Sequence, residues 1–283
     1  MKTVRSGQAL RNILEVYRRK GKSIGFVPTM GYLHEGHLSL VRLARRENDL
    51  VVASIFVNPL QFGPQEDYKR YPRSERCDAA MLKREKTNIL FMPSVREFYP
   101  EGFQTQAAVS RLAKPLCGKS RPTHFAGVTT VVLKLLNLVR PQAMWLGQKD
   151  YQQVRVLEQM VADLDLPVKV RMAPIVREKD GLAMSSRNVF LDKASRREAA
   201  FLYKALRHGR KLVQKGVRDT ATLQKAMRAV LQKASHGRVD YLEIVDSRTL
   251  ERVVKLRSNS KALFALAVFF GKTRLIDNIL VRG

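Results

Sequence analysis

Residues 23 to 46 read SIGFVPTMGYLHEGHLSLVRLARR. The first seven positions, Ser23 to Thr29, are an apolar run that ends at Pro28. From Gly36 onward the apolar positions recur every three or four residues. An apolar run followed by a helical period, with glycines and polar residues between, is the signature of a strand feeding a helix. The same alternation continues outward. Leu50 to Val57, Ile89 to Met92, Ala143 to Leu146 and Val168 to Met172 are short apolar runs. Gly36 to Arg46, Arg76 to Lys86, Ala126 to Val139 and Tyr151 to Asp163 are helix-patterned. Runs apolar on both faces suit strands covered by helices on two sides, so the pattern predicts an α/β fold, a Rossmann-like doubly wound parallel sheet.

The character changes near Ile175. Asp192 is a capping residue for a helix from Lys193 to about Gln214, and Thr220 to Ala234 reads as a second helix. Val239 to Val245, Ala262 to Phe270 and Leu275 to Val281 follow as strands. The expected organisation is a nucleotide-binding domain over residues 1–175 and a smaller α+β C-terminal domain over 176–283.

Composition narrows the class. With 283 residues and 45% hydrophobic content the chain can bury a core without staples. No apolar run approaches the roughly 20 residues of a membrane span, and residues 1–21 form an amphipathic segment without a cleavable apolar core. Cys77 and Cys117 lack metal-site or redox spacing and read as reduced thiols of a cytoplasmic protein. The net charge of +27 invites a nucleic-acid partner. Its distribution argues otherwise: residues 1–182 carry 30 basic and 17 acidic side chains, residues 183–283 carry 22 and 8, and no polybasic tail appears.

Doubly wound sheets bind ligands at the carboxyl ends of their strands. His34 and His37 sit there, three apart on the first turn of a helix, where free N–H groups and the positive dipole end favour a polyphosphate. Capping the helix is the competing task for the same residues, and zinc is disfavoured because a metalloprotease helix spaces its histidines by four. Lys149 and Asp150 open another helix and offer an ammonium for phosphate and a carboxylate for ribose hydroxyls, or a solvated cap. Ser185, Ser186 and Arg187 form an anion clamp or an ordinary capping loop. Asn58, Gln61 and Gln153 are neutral amides suited to a small hydroxy acid. Arg121 and His124 add anion-pairing capacity, and Asp78 is a candidate for holding magnesium through water.

Five segments, residues 28–41 (PTMGYLHEGHLSLV), 54–73 (SIFVNPLQFGPQEDYKRYPR), 120–139 (SRPTHFAGVTTVVLKLLNLV), 147–153 (GQKDYQQ) and 176–191 (VREKDGLAMSSRNVFL), resemble the pantoate–β-alanine ligases. This resemblance implies a reaction of ATP with pantoate to give pantoyl adenylate and pyrophosphate, followed by attack of β-alanine to give pantothenate and AMP. It implies magnesium, a homodimer, a C-terminal lid and no membrane or specific nucleic-acid partner. His34, His37, Lys149 and Arg187 would be catalytic. ATP would be bound by these four with Met30, Gly147, Asp150, Val176, Met184, Ser185 and Ser186. Pantoate would be bound by Met30, Asn58, Gln61, Arg121 and Gln153, and Asp78 would serve the metal beside Tyr71 in the active-site cover. The chain departs from the family at Cys117, Gln148 and Cys77, each where a carboxylate is usual. Two alternatives use the same features: another nucleotidylyltransferase built on the His34–His37 element, and a basic nucleic-acid-binding protein.

Overall fold

The computed structural model describes residues 1–64 and 66–283; Gln65, inside the second resembling segment, lies outside the described residues. Two compact units divide the chain, the first Met1–Gln148 with Gln153–Pro174, the second Lys149–Gln152 with Ile175–Gly283.

In the first unit six parallel strands run in the order β1, β4, β3, β2, β5, β6. They are β1 (Lys2–Val4), β2 (Ile24–Thr29), β3 (Leu50–Ile55), β4 (Ile89–Phe91), β5 (Ala143–Gly147) and β6 (Lys169–Ala173). Both faces of β2, β3 and β4 are buried, which is why their sequences are continuously apolar rather than alternating. The helices are α1 (Gly7–Arg19), α2 (Glu35–Glu47), α3 (Glu75–Arg84), the short α4 (Val95–Phe98) and α5 (Cys117–Ser120), α6 (His124–Val139) and α7 (Tyr151–Asp163). Phe26, Leu50, Val52 and Met144 pack with Leu135 and Val139 of α6 on one face of the sheet. Val27, Val51 and Trp145 pack with Leu40 and Val41 of α2 on the other.

This strand order creates a switch point. The connection from β2 leads to β3 on one side, and that from β5 leads to β6 on the other, so the turns leaving β2 and β5 diverge and leave a crevice at their carboxyl ends.

In the second unit α8 (Lys193–Glu198), α9 (Phe201–Gln214) and α10 (Thr220–Leu231) accompany an antiparallel sheet of β7 (Gly237–Asp246), β8 (Lys261–Phe270) and β9 (Thr273–Arg282). Leu206, Leu223 and Met227 pack against Phe264 and Leu266. The expected α/β fold with a second, smaller α+β part is therefore the observed one. One expected element differs: the single helix from Lys193 to Gln214 is interrupted after Glu198. The Leu202 N–H bonds the Ala199 carbonyl three residues back, a tightened turn that no glycine or proline marks. Strand β1, three residues long, is an addition to the expected set; it is too short to carry a period. Among the described residues no helix is long and apolar enough to cross a membrane.

Gly127 shows how closely the site scaffold is packed. A Cβ there would fall 2.2 Å from the Leu60 carbonyl oxygen and 2.6 Å from the Gln61 nitrogen. Gly127→Ala must push the turn at residues 59–61 away from α6, and a loss of about 1–3 kcal/mol in unfolding free energy is expected by chemical denaturation.

Candidate active site

The turn leaving β2 is built by backbone demands. Gly31 and Tyr32 take positive φ, 84° and 50°, a conformation that glycine adopts freely and tyrosine only under constraint. The constraint is Asp78 of α3. Its carboxylate accepts from the Tyr32 and Leu33 N–H groups at 2.8 and 2.7 Å. Asp78 is 1% exposed. Burial pushes its carboxyl up, against the pull of those two N–H groups.

This turn delivers His34 as the N-cap of α2. His34 Nδ1 accepts from the Gly36 N–H at 3.2 Å, and His37 Nδ1 accepts from the His34 N–H at 3.3 Å. The two rings lie 4.1 Å apart, tilted by 41°. A ring nitrogen that accepts a main-chain N–H carries no proton, so each neutral imidazole bears its proton on Nε2. In each ring one nitrogen caps and the other carries the proton.

The turn after β3 presents the amides. Gln61 donates from Nε2 to Met30 Sδ at 2.9 Å, bringing together two residues expected to share a ligand. Asn58 is tied into the same turn. It is 1% exposed, its Nδ2 donates to Gln61 Oε1 and the Gly127 carbonyl, and its Oδ1 accepts from Tyr99 OH and the Leu60 N–H. Both amide protons are engaged within the protein, so Asn58 holds the turn. Arg121 is also committed: its guanidinium grips Glu66 at 2.6 Å through both Nε and Nη2, and Nη2 donates to the Gln61 carbonyl at 3.2 Å. His124 Nδ1 donates to the same carbonyl at 2.8 Å. Arg121 and His124 therefore fix the Gln61 backbone and do not stand as unpaired anion binders. Burial pushes the Glu66 carboxyl up, but the Arg121 bonds and charge outweigh it and hold the group below the ordinary range. Gln153 lies half-buried in the first turn of α7.

Gly147 ends β5, and a Cβ built there would meet nothing within 4 Å. Among the described residues nothing requires a glycine at that position.

Within the second unit Lys149 Nζ lies 4.0 Å from Asp150 Oδ1. Val176 and Met184 face each other across a hairpin: the Met184 N–H donates to the Val176 carbonyl at 3.0 Å, and Arg177 bridges Ala183. The hairpin runs directly into Ser185, which caps the turn Ser186–Phe190 by accepting from the Arg187 N–H. Ser186 is buried and Arg187 half-buried.

Asp78, expected to serve magnesium, has both oxygens engaged by main-chain donors. Among the described residues no three His, Cys, Asp or Glu side chains group as a metal centre. The residues present do not fit a ready-made magnesium cage. Cys77 is exposed and Cys117 buried, both as free thiols.

A doubly wound parallel sheet with a histidine-capped helix at its switch point defines a Rossmann-like α/β protein. The family model described as pantoate-beta-alanine ligase matches residues 2–280, and the chain belongs to that family. The curated pantothenate synthetase of Caldicellulosiruptor bescii is 51% identical over 283 residues, covering 100% of each chain. That of Thermotoga neapolitana is 51% identical, covering 99% of this chain and all of its own. The crystal structure of pantothenate synthetase from Thermus thermophilus matches with a TM-score of 0.93 and 47% identity over 99% of both chains. The ligase from Francisella tularensis, complexed with beta-gamma ATP and beta-alanine, matches at 0.81 and 35%, covering 99% of this chain and 97% of its own.

Two outcomes test this geometry. Asp78→Asn replaces one acceptor by an NH₂ facing an N–H, and a loss of about 1–3 kcal/mol in denaturation is expected; a purely metal-binding carboxylate would leave stability unchanged. The Glu66 carboxyl titrates lower folded than unfolded, so its contribution is complete above the ordinary Glu range and vanishes as pH falls below it. Arg121→Met should therefore lower stability at neutral pH and shrink the difference from native protein at about pH 3, followed by thermal melting.

Proposed function

We propose that this protein condenses pantoate with β-alanine at the expense of ATP, through pantoyl adenylate. The observation that carries the reading is the pair of imidazoles whose Nδ1 atoms cap α2, and whose protons therefore sit on Nε2, at the switch point where a doubly wound sheet receives phosphate.

The pantoate carboxylate is ionised at neutral pH and needs no general base. Its oxygen attacks the α-phosphorus, the bond from that phosphorus to the bridging oxygen breaks, and pyrophosphate leaves. The chain's work is alignment and stabilisation of the growing negative charge. His34 and His37 donate from Nε2, Lys149 and Arg187 supply fixed positive charge, and Ser185 and Ser186 supply hydroxyls. Gly147, where a side chain would meet open space, lets the nucleoside approach the backbone, with Asp150 on the ribose hydroxyls and Met30, Val176 and Met184 as further ATP contacts. Gln61 and Gln153 take the pantoate hydroxyls and carboxylate. Asn58 and Arg121 act on pantoate through Gln61. In the second step the unprotonated amine of β-alanine attacks the acyl carbon, AMP departs, and the nitrogen sheds a proton as the amide forms. Magnesium would neutralise phosphate charge when bound. Among the described residues no group of three His, Cys, Asp or Glu side chains stands ready to hold it.

A cytoplasmic homodimer, with residues 176–283 as a lid, completes the reading on family resemblance. The alternatives, a different nucleotidylyltransferase or a nucleic-acid binder, assign no ligand to Gln61 and Gln153.

Exchange of labelled pyrophosphate into ATP should require pantoate and not β-alanine. Exchange without pantoate, or none with pantoate, ATP and magnesium together, would sink the reading. Lys149→Ala and His34→Ala should each lower kcat by about a hundredfold or more, by analogy with the loss of a preorganised donor. Steady-state kinetics check this.

A further inference from the structure

Strand β9 carries two adjacent polar residues in its buried stretch, Asp277 at 2% exposure and Asn278 at 4%. Neither has a role in the chemistry above. Asp277 grips the Arg177 guanidinium in two places, at 2.6 and 2.9 Å, and accepts the Asn278 N–H at 2.7 Å. Arg177 also donates to the Gly181 carbonyl at 3.0 Å, and its guanidinium sits 3.7 Å from the centre of the Tyr203 ring. The base of the hairpin that leads into Ser185–Arg187 is thus tied to β9. The turn Ser186–Phe190 itself packs on β9. Asn278 completes the arrangement from its other side, donating from Nδ2 to the Lys149 carbonyl at 2.9 Å.

A buried ion pair is a poor way to gain stability, since apolar residues of equal volume often do as well or better. It does fix geometry. The ion pair and Asn278 together hold the backbone of Lys149 and the hairpin that leads to Arg187, the residues read above as carrying the positive charge of the phosphate site. We infer that Asp277 and Asn278 are positioning residues, setting Lys149 and the Val176–Arg187 hairpin in one frame so that ammonium, hydroxyls and guanidinium act on the same anion. This rests on the reading of Lys149 and Arg187 as phosphate-binding groups.

A double-mutant cycle separates the two. ATP dissociation constants are measured by titration calorimetry on the full chain, with circular dichroism to verify folding. Asn278→Ala should weaken ATP binding about tenfold in the native background and less than about twofold in Lys149→Ala, because the second change has already removed what the first positions. Asn278→Ser, smaller in its disturbance, keeps the test open if the alanine variant fails to fold. Asp277→Asn, paired with Arg187→Ala, should show the same coupling. Equal losses in both backgrounds, or no loss in the native one, overturn the inference while leaving the phosphate reading intact. Unchanged ATP binding in Lys149→Ala removes that reading and the inference with it.

Discussion

A helix has main-chain N–H groups to satisfy where it begins, and the turns at the strand ends of the first unit follow from how this is done. Four orphan donors open any α-helix. At the start of α2, two N–H groups find imidazole nitrogens. In the preceding turn, two more find Asp78. The histidines' tautomers are thereby set by the backbone. The turn after β3 repeats the logic with different residues: Asn58 caps it, Gly127 gives it room, and Arg121 and His124 hold its carbonyl. Gln61 is thereby delivered with its side chain against Met30.

The sheet was legible because its strands are covered on both faces, which writes them as unbroken apolar runs. The switch point followed once their order was known, but that order is a property of strand pairing and leaves no local trace. Strand β1 contributes three residues, fewer than any pattern needs. The break between α8 and α9 falls among alanines with helical torsions, so the sequence there reads as continuous helix.

Among site residues, those next to strand ends were easy to find, since position alone nominated them. Their individual duties were harder. Asn58, Gln61 and Gln153 look alike in sequence, yet Asn58 is exhausted by neighbours from residues 60, 61, 99 and 127, all but two of them remote in the chain. Arg121 looked like an anion binder until its partner Glu66, fifty-five residues away, was in place. Asp277 and Asn278 did leave a signal: two consecutive polar residues within the apolar run Leu275 to Val281 have no reason to be there unless something is bonded to them.

The capping bond that each imidazole accepts limits what can stand in for it. A cation at position 34 or 37 would add charge for holding phosphate. Lysine and arginine, however, offer only donors, and so does a doubly protonated histidine. Each would point hydrogen at hydrogen where α2 begins, trading the integrity of the first turn for one added charge. The positions call for a group with a lone pair on one side and a proton on the other, held rigidly apart, and among the twenty side chains a neutral five-membered ring is the compact way to have both.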